Sequence, residues 1–224
     1  MSKAWDDYLP DVLLEATGCP TLIAVNAIRS AAVDLCGECS VWQEDLERSS
    51  LVAGDPLCDL YVPDDSEVAT ILDVRFYPVG ETTALSIAGP TDEKTLNAVR
   101  PGWKDEACEG TVNTVSVCAY LSPLVLRVIP IPVVSQADAI AVTATLRPTR
   151  ASTEGPDLLY TDYLETICTG ALAKLLAMGN KPWSDLQTAV FKSAEFRRMK
   201  ARAGIRVLTA SGAMQMQVHP RTLA

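Results

Sequence analysis

The stretch from Ile140 to Asn180 reads IAVTATLRPTRASTEGPDLLYTDYLETICTGALAKLLAMGN, and its period changes midway. Ile140, Val142, Ala144 and Leu146 alternate with Thr143 and Thr145. That period of two gives a strand one apolar and one polar face. Past Arg147-Pro148 the rule is different: Tyr160, Leu164, Ile167, Ala171, Leu175 and Met178 recur every three or four residues. Such spacing lines one side of a helix. Gly179-Asn180 then supplies a left-handed stop, and Pro182 prevents continuation. A β segment hands over to a helical hairpin here.

Upstream the change runs the other way. GCPTLIAVNAIRSAAVDLCGECSVWQEDLE, residues 18–47, predicts a long helix with Pro20 at its first position behind Cys19. Val25, Ile28, Ala32, Leu35, Cys39, Trp42 and Leu46 keep one narrow stripe on it, and Gly37 allows the helix to end before Trp42 and pass into a strand. Between Ser49 and Arg150 alternation takes over. Leu72, Val74 and Phe76 stand against Asp73, Arg75 and Tyr77, and Val115, Val117 and Ala119 against Ser116, Cys118 and Tyr120. Leu124, Leu126 and Val128 follow, with turns at AGDP, VPDD and YPVG. A mainly antiparallel β domain of roughly five to seven strands is expected, with one short helix in TDEKTLNAVRPGW that stops at Pro101.

Downstream, Ser184 with Gln187 three residues on predicts a capping box opening the last helix, which is expected to close at Gly204. Arg197, Arg198, Lys200 and Arg202 fall in its final turns, where cations suit the negative end of the helix dipole. In the tail, Met214, Met216 and Val218 alternate with Gln215, Gln217 and His219. A strand with no sequence neighbour leaves its backbone groups unpaired, so it is expected to add to another chain; the competing reading folds it back on this chain's own sheet. The expected fold class is α+β: a helical bundle of about three long helices from residues 1–48 and 151–204, an inserted antiparallel β domain at 49–150, and an extended C-terminal docking arm at 205–224.

The chain has 224 residues, 48% hydrophobic and 21% charged, which excludes a disordered class. MSKAWDDYLP is acidic and lacks the apolar run of a signal peptide, and the greasiest stretch, LSPLVLRVIPIPVV, is short and broken by Arg127, Pro130 and Pro132. A cytoplasm-like compartment and no membrane association are expected. The seven cysteines are expected to be reduced core residues. Cys36 and Cys39 form a CxxC, but in the middle of a helix and not at its start, and the only histidine is His219. The net charge of −9 is uneven. Residues 181–224 hold eight Lys/Arg and two Asp/Glu, giving +6; residues 1–180 hold eleven and twenty-six, giving −15. The acidic body does not suit phosphate binding, and the basic end suits docking on an acidic neighbour.

Catalytic inventories come out thin. A Ser-His-Asp or Cys-His site lacks its imidazole outside the tail, and neither GxxxxGK[ST] nor GxGxxG occurs. Paired carboxylates in PDDSE, WQEDLE and KDEACE lie at turns, where solvation is the ordinary outcome. No enzyme activity and no cofactor or metal are expected.

ATLRPTRASTEGPDLLYTDYLETICTGALAKLLAMGNKPWSD, with YLPDVLLEATGCPTLIAVNAIRSAAVDLC and its LP-x-V, GCP and A-x-N-A-x-R-x-A elements, resembles the head–tail adaptor proteins of tailed bacteriophages. SVWQEDLE and RPGW fit as well. The likeness covers Tyr8–Glu47 and Leu146–Gly204. It implies a structural protein of the virion neck, assembled in the host cytoplasm. Such adaptors form a ring, usually of twelve copies, beneath the portal protein. The ring meets a downstream tail or nozzle protein and extends the DNA channel without reading the DNA's sequence. The C-terminal arm would grip the portal through Ile205, Val207, Leu208, Met214, Met216, Val218 and His219, beside a basic interface of Arg197, Arg198, Lys200, Arg202 and Arg206. Two other readings compete: a DNA-binding or host-directed regulator using KSAEFRRMKAR, and a carboxylate-based hydrolase.

Overall fold

The computed structural model describes residues 2–81, 83–108, 110–122 and 124–210. In chain order the first elements are β1 (Ser2–Ala4), a 3-10 turn (Trp5–Tyr8), α1 (Leu9–Glu15) and α2 (Thr21–Cys39). Then come β2 (Gln43–Asp45), β3 (Ser49–Leu51), β4 (Leu57–Asp59), β5 (Ser66–Phe76), β6 (Leu85–Ser86) and β7 (Ala88–Thr91). After α3 (Glu93–Val99) follow β8 (Val117–Ser122), β9 (Val125–Ile129), β10 (Gln136–Pro148) and β11 (Glu154–Pro156), and the last elements are α4 (Asp157–Leu176) and α5 (Leu186–Ala210). The fold is α+β. The chain divides into two compact units, one of Met1–Val41 with Thr153–Ala224 and one of Trp42–Ser152.

In the first unit α4 packs against both α2 and α5. A helix between two others needs more than one apolar stripe. α4 accordingly buries Ile167, Ala171 and Leu175 from the expected face and adds Leu159, Tyr163, Cys168, Leu172 and Leu176. The three helices meet at Gly170, whose lack of a side chain makes room for the Phe196 ring. A Cβ on Gly170 would stand 2.7 Å from the Phe196 ring of α5 and 3.0 Å from Ala31 Cβ of α2. Ion pairs tie the flanks: Lys174 reaches Asp34 of α2 at 2.6 Å, and Lys192 of α5 reaches Glu15 of α1 at 2.8 Å. At the N-terminus β1 pairs antiparallel with β11, and the Trp5 ring lies so close to Gly155 that a Cβ there would sit 2.5 Å from it. Tyr8, fully buried, meets the Tyr160 ring edge-on at 5.2 Å between centroids.

α2 begins one residue later than expected, with Pro20 extended as its N-cap, and ends at Cys39 with Ser40 left-handed at φ 52°. Trp42 and Leu46 are therefore not on the helix; Leu46 belongs to the β unit's core. Cys36 and Cys39 occupy the helix's last turn, not its middle.

The second unit is organised by β10, which pairs with β2, β3 and β5 in a five-stranded sheet that β6 completes. Ile140, Val142, Ala144 and Leu146 all point into the core. On β5 the alternation fails. The pairing skips Leu72 between Asp73 and Ile71, and skips Ala69 between Thr70 and Val68. Each bulge reverses the face that follows, so Val68, Ile71, Val74 and Phe76 are buried and Leu72 is exposed. The other sheet has the order β4-β9-β8-β7, with β7 and β8 parallel. On β8, Cys118 faces the main core, while Ala119 faces a smaller cluster with Leu96, Trp103 and Ile129. Cys118, expected on the polar side, is thus fully buried. Among the described residues this unit holds the short helix α3 and nine strands, β2 to β10. Those beyond the expected five to seven are pieces of two to four residues, too short to show a period.

Candidate assembly interface

The last helix is where the sequence concentrates its cations, and its geometry departs from expectation at both ends. Its N-cap is Asp185, not Ser184. The Asp185 carboxylate accepts from the backbone N–H groups of Gln187 and Thr188, both at 3.1 Å, and from the Thr188 hydroxyl. The Thr188 hydroxyl, then its N–H, hold that carboxyl below its usual range. Ser184 instead donates to the Met178 carbonyl and accepts from Lys181 N–H, closing the turn that Asn180 opens at φ 59°. At the far end the helix does not stop at Gly204 but runs through it to Ala210. Ala203 is buried against the unit, and Thr209 donates to the Ile205 carbonyl at 2.8 Å.

This extension changes the meaning of the basic residues. Arg197, Arg198, Lys200 and Arg202 lie in mid-helix, and the last turn holds no cation, so the helix dipole no longer accounts for them. Lys200 is taken up internally: its side chain is 11% exposed, pairs with Glu38 at 2.6 Å and lies 4.9 Å from the Phe196 ring centre. Arg206 reaches Asp162 of α4 at 3.6 Å. Arg198 lies 3.6 Å from Glu195, and Arg197 donates to the Ser193 carbonyl. Arg202 is exposed and has no ion partner among the described residues. Of the five expected interface cations only Lys200 is thus taken inside the unit; Arg197, Arg198, Arg202 and Arg206 face solvent, Arg198 and Arg206 each with a carboxylate at 3.6 Å.

Of the expected docking residues, Ile205, Val207 and Leu208 are on α5 and not on an extended arm, with Ile205 and Leu208 exposed and Val207 half-buried. Met214, Met216, Val218 and His219 lie outside the described residues. Sequence reading missed other apolar residues on the same helix: Leu186, Val190 and Phe191 are all exposed. Their signal was present, because α5 carries more apolar residues than its buried stripe of Ala189, Phe196 and Ala203 can use.

A cleft of about 510 Å³ opens between α1, α4 and α5, lined by Asp11, Glu15, Glu165, Lys192, Glu195 and Cys168 among others. Burial pushes the Cys168 thiol up to about 12, so the cleft offers no thiolate. Glu15 is committed to Lys192. In the β unit one carboxylate of each run is paired: Asp45 with Arg75, also accepting from the Thr143 hydroxyl, Glu67 with Arg147, and Glu106 with Arg100; Glu44, Glu47 and Asp64 line a cleft of about 360 Å³. In the CxxC, burial and then the neighbouring Cys39 push the Cys36 thiol up to about 12, while Cys39 donates to the Lys200 carbonyl at 3.2 Å. A low-pKa redox pair needs the opposite environment. Among the described residues no group of His, Cys, Asp or Glu side chains is placed to hold a metal ion, and no helix is long and apolar enough to cross a membrane.

A scan of the chain against models of protein families finds no matching family, and a search among curated proteins finds no match.

Proposed function

We propose that the chain is a structural assembly protein, a head–tail adaptor of a tailed bacteriophage. In this reading about twelve copies form a ring under the portal protein, join it to a tail or nozzle protein, and carry the genome through an acidic lumen that repels phosphate. The three long helices α2, α4 and α5 would form the ring's bundle, the β unit an inserted domain, and residues 211–224 the arm that meets the portal. The protein would act by assembly in the virion neck, with no chemical step.

One observation carries the reading. The two stretches that resemble adaptors lie at opposite ends of the chain, yet their helices α1, α2, α4 and α5 fold into one compact unit interrupted by a β unit. The resembling residues are packing residues there, Gly170 and Ala31 among them. The cations of α5 lend some support to this over nucleic-acid binding, since Lys200 is held inside the unit by Glu38 and Arg198 and Arg206 each have a carboxylate at 3.6 Å.

The test is electron microscopy of the purified chain mixed with the portal protein of the same phage. A ring coaxial with the portal is expected. Removing residues 211–224 should leave the fold and its melting temperature within a few degrees, because the buried residues of α5 end at Ala203, but should abolish portal capture. A stable dimer as the sole species, with and without portal, rejects the reading.

A further inference from the structure

α5 presents a second face that the other described residues leave exposed. With 3.6 residues per turn, Leu186, Val190, Ile205 and Leu208 centre roughly 120° around the axis from the buried stripe of Ala189, Phe196 and Ala203. Val190 is 63% exposed, Ile205 51% and Leu208 44%. Arg197 stands among these residues, and Arg198 and Arg202 flank them, Arg198 lying 3.6 Å from Glu195 at the edge of the face. An apolar face studded with mid-helix arginines asks for a partner that is both apolar and acidic.

The same unit carries such a surface elsewhere. Residues 4–28 contain four carboxylates, Asp6, Asp7, Asp11 and Glu15, and no Lys or Arg. The first three are exposed, and Leu14 beside them is 79% exposed. Within one chain the two surfaces do not engage: among the described residues the ion pair joining α1 to α5 is Glu15 with Lys192, on the helix's other flank.

We propose that the free face of α5, around Val190, Arg198, Arg202 and Ile205, docks on the Asp6, Asp11 and Leu14 surface of a second copy of this chain. Two different, complementary patches on one body make a head-to-tail contact, which repeats until it closes into a ring or runs on as a filament. This names the contact behind the self-assembly in the adaptor reading and rests on it. Its size sets its strength. A helix of 25 residues is about 37 Å long and about 10 Å wide, well under the roughly 800 Å² per partner of a stable interface. A single contact is therefore weak and reversible, and closure of many is what makes it lasting.

Sedimentation velocity of the full chain at rising concentration in low salt tests this. The sedimentation coefficient should climb with concentration and fall back in high salt. Arg198→Glu with Arg202→Glu on one variant, and Asp6→Lys with Asp11→Lys on another, should each hold the chain monomeric. Mixed together they should associate again, since each reversed face then meets a reversed partner; that recovery also shows both variants folded. Ile205→Asp should weaken association without a charge swap to rescue it. A wild type that stays monomeric throughout, variants that associate like the wild type, or a mixture that stays monomeric overturns the contact. Portal capture, measured separately, keeps the two ideas apart. Capture without this contact leaves the adaptor reading standing, and this contact without capture leaves the reverse.

Discussion

A methyl group added to Gly204 would meet no heavy atom within 4 Å, and the residue sits inside a continuous helix. Gly204→Ala should therefore stabilise the helical unit by about 0.5–1 kcal/mol, by restricting the unfolded chain. Chemical denaturation reads this directly; a loss of stability would mean that Gly204 takes the left-handed conformation of a helix stop. The cysteines make a second residue-scale case. All seven are buried, and none forms a disulfide among the described residues. Burial first, then the neighbouring Cys58, pushes the Cys118 thiol up to about 12, and burial lifts Cys58 to about 11 against the Ser49 hydrogen bond. A folded pKa above the unfolded value of 9.0 means that the folded state holds its proton longer. The associated stability is complete below pH 9 and falls as pH rises toward 12. Native protein at pH 8 should resist iodoacetamide at Cys36, Cys118 and Cys168, whereas urea-unfolded protein should be alkylated at all seven, as peptide mass spectrometry would show.

Among the helices, α4 is the most constrained because it contacts α2 and α5 at once. Gly170→Val forces branched carbon into the space held by Phe196 and Ala31, and should destabilise the unit by about 2–3 kcal/mol. A denaturation midpoint no lower than wild type would show that the crossing is looser than described. The legibility of each element follows from what decides it. β10 was readable in part: Ile140, Val142, Ala144 and Leu146 are buried as alternation expects, but Thr145, expected on the polar face, is buried too, its hydroxyl donating to the Thr70 carbonyl. β5 was not, because its bulges at Ala69 and Leu72 arise from pairing with β10, which no local pattern records. Helix ends suffered likewise. The cost of glycine in a helix is only about 1 kcal/mol, and Ala203 beside it is buried against the unit, so α5 continues where local rules stop it. At the candidate interface the arginines were legible as a cluster. Which of them were already spoken for was not, since Glu38 and Asp162 are distant in sequence.

For the whole molecule, the division into an interrupted helical unit and a continuous β unit sets an order on synthesis. The core of the β unit, from Leu46 to Leu146, is complete once Ser152 has left the ribosome. α2 emerges far earlier, but Ala31 and the rest of its buried face wait for α4 and α5, the last helices made. During that interval the first half of the helical unit is an apolar segment without a partner, the kind of surface chaperones hold and proteases cut. Ribosome-bound chains halted after residue 152, with a linker long enough to clear the exit tunnel, should show a protease-resistant β unit and a readily cleaved α2. Chains halted after residue 210 should protect both. Equal protection of α2 at the two lengths would mean that the early helices find shelter before their native partners exist. If the expected order holds, every copy passes through a half-built state in translation, and the supply of folded chains is set by how quickly the final helices arrive to cover the first.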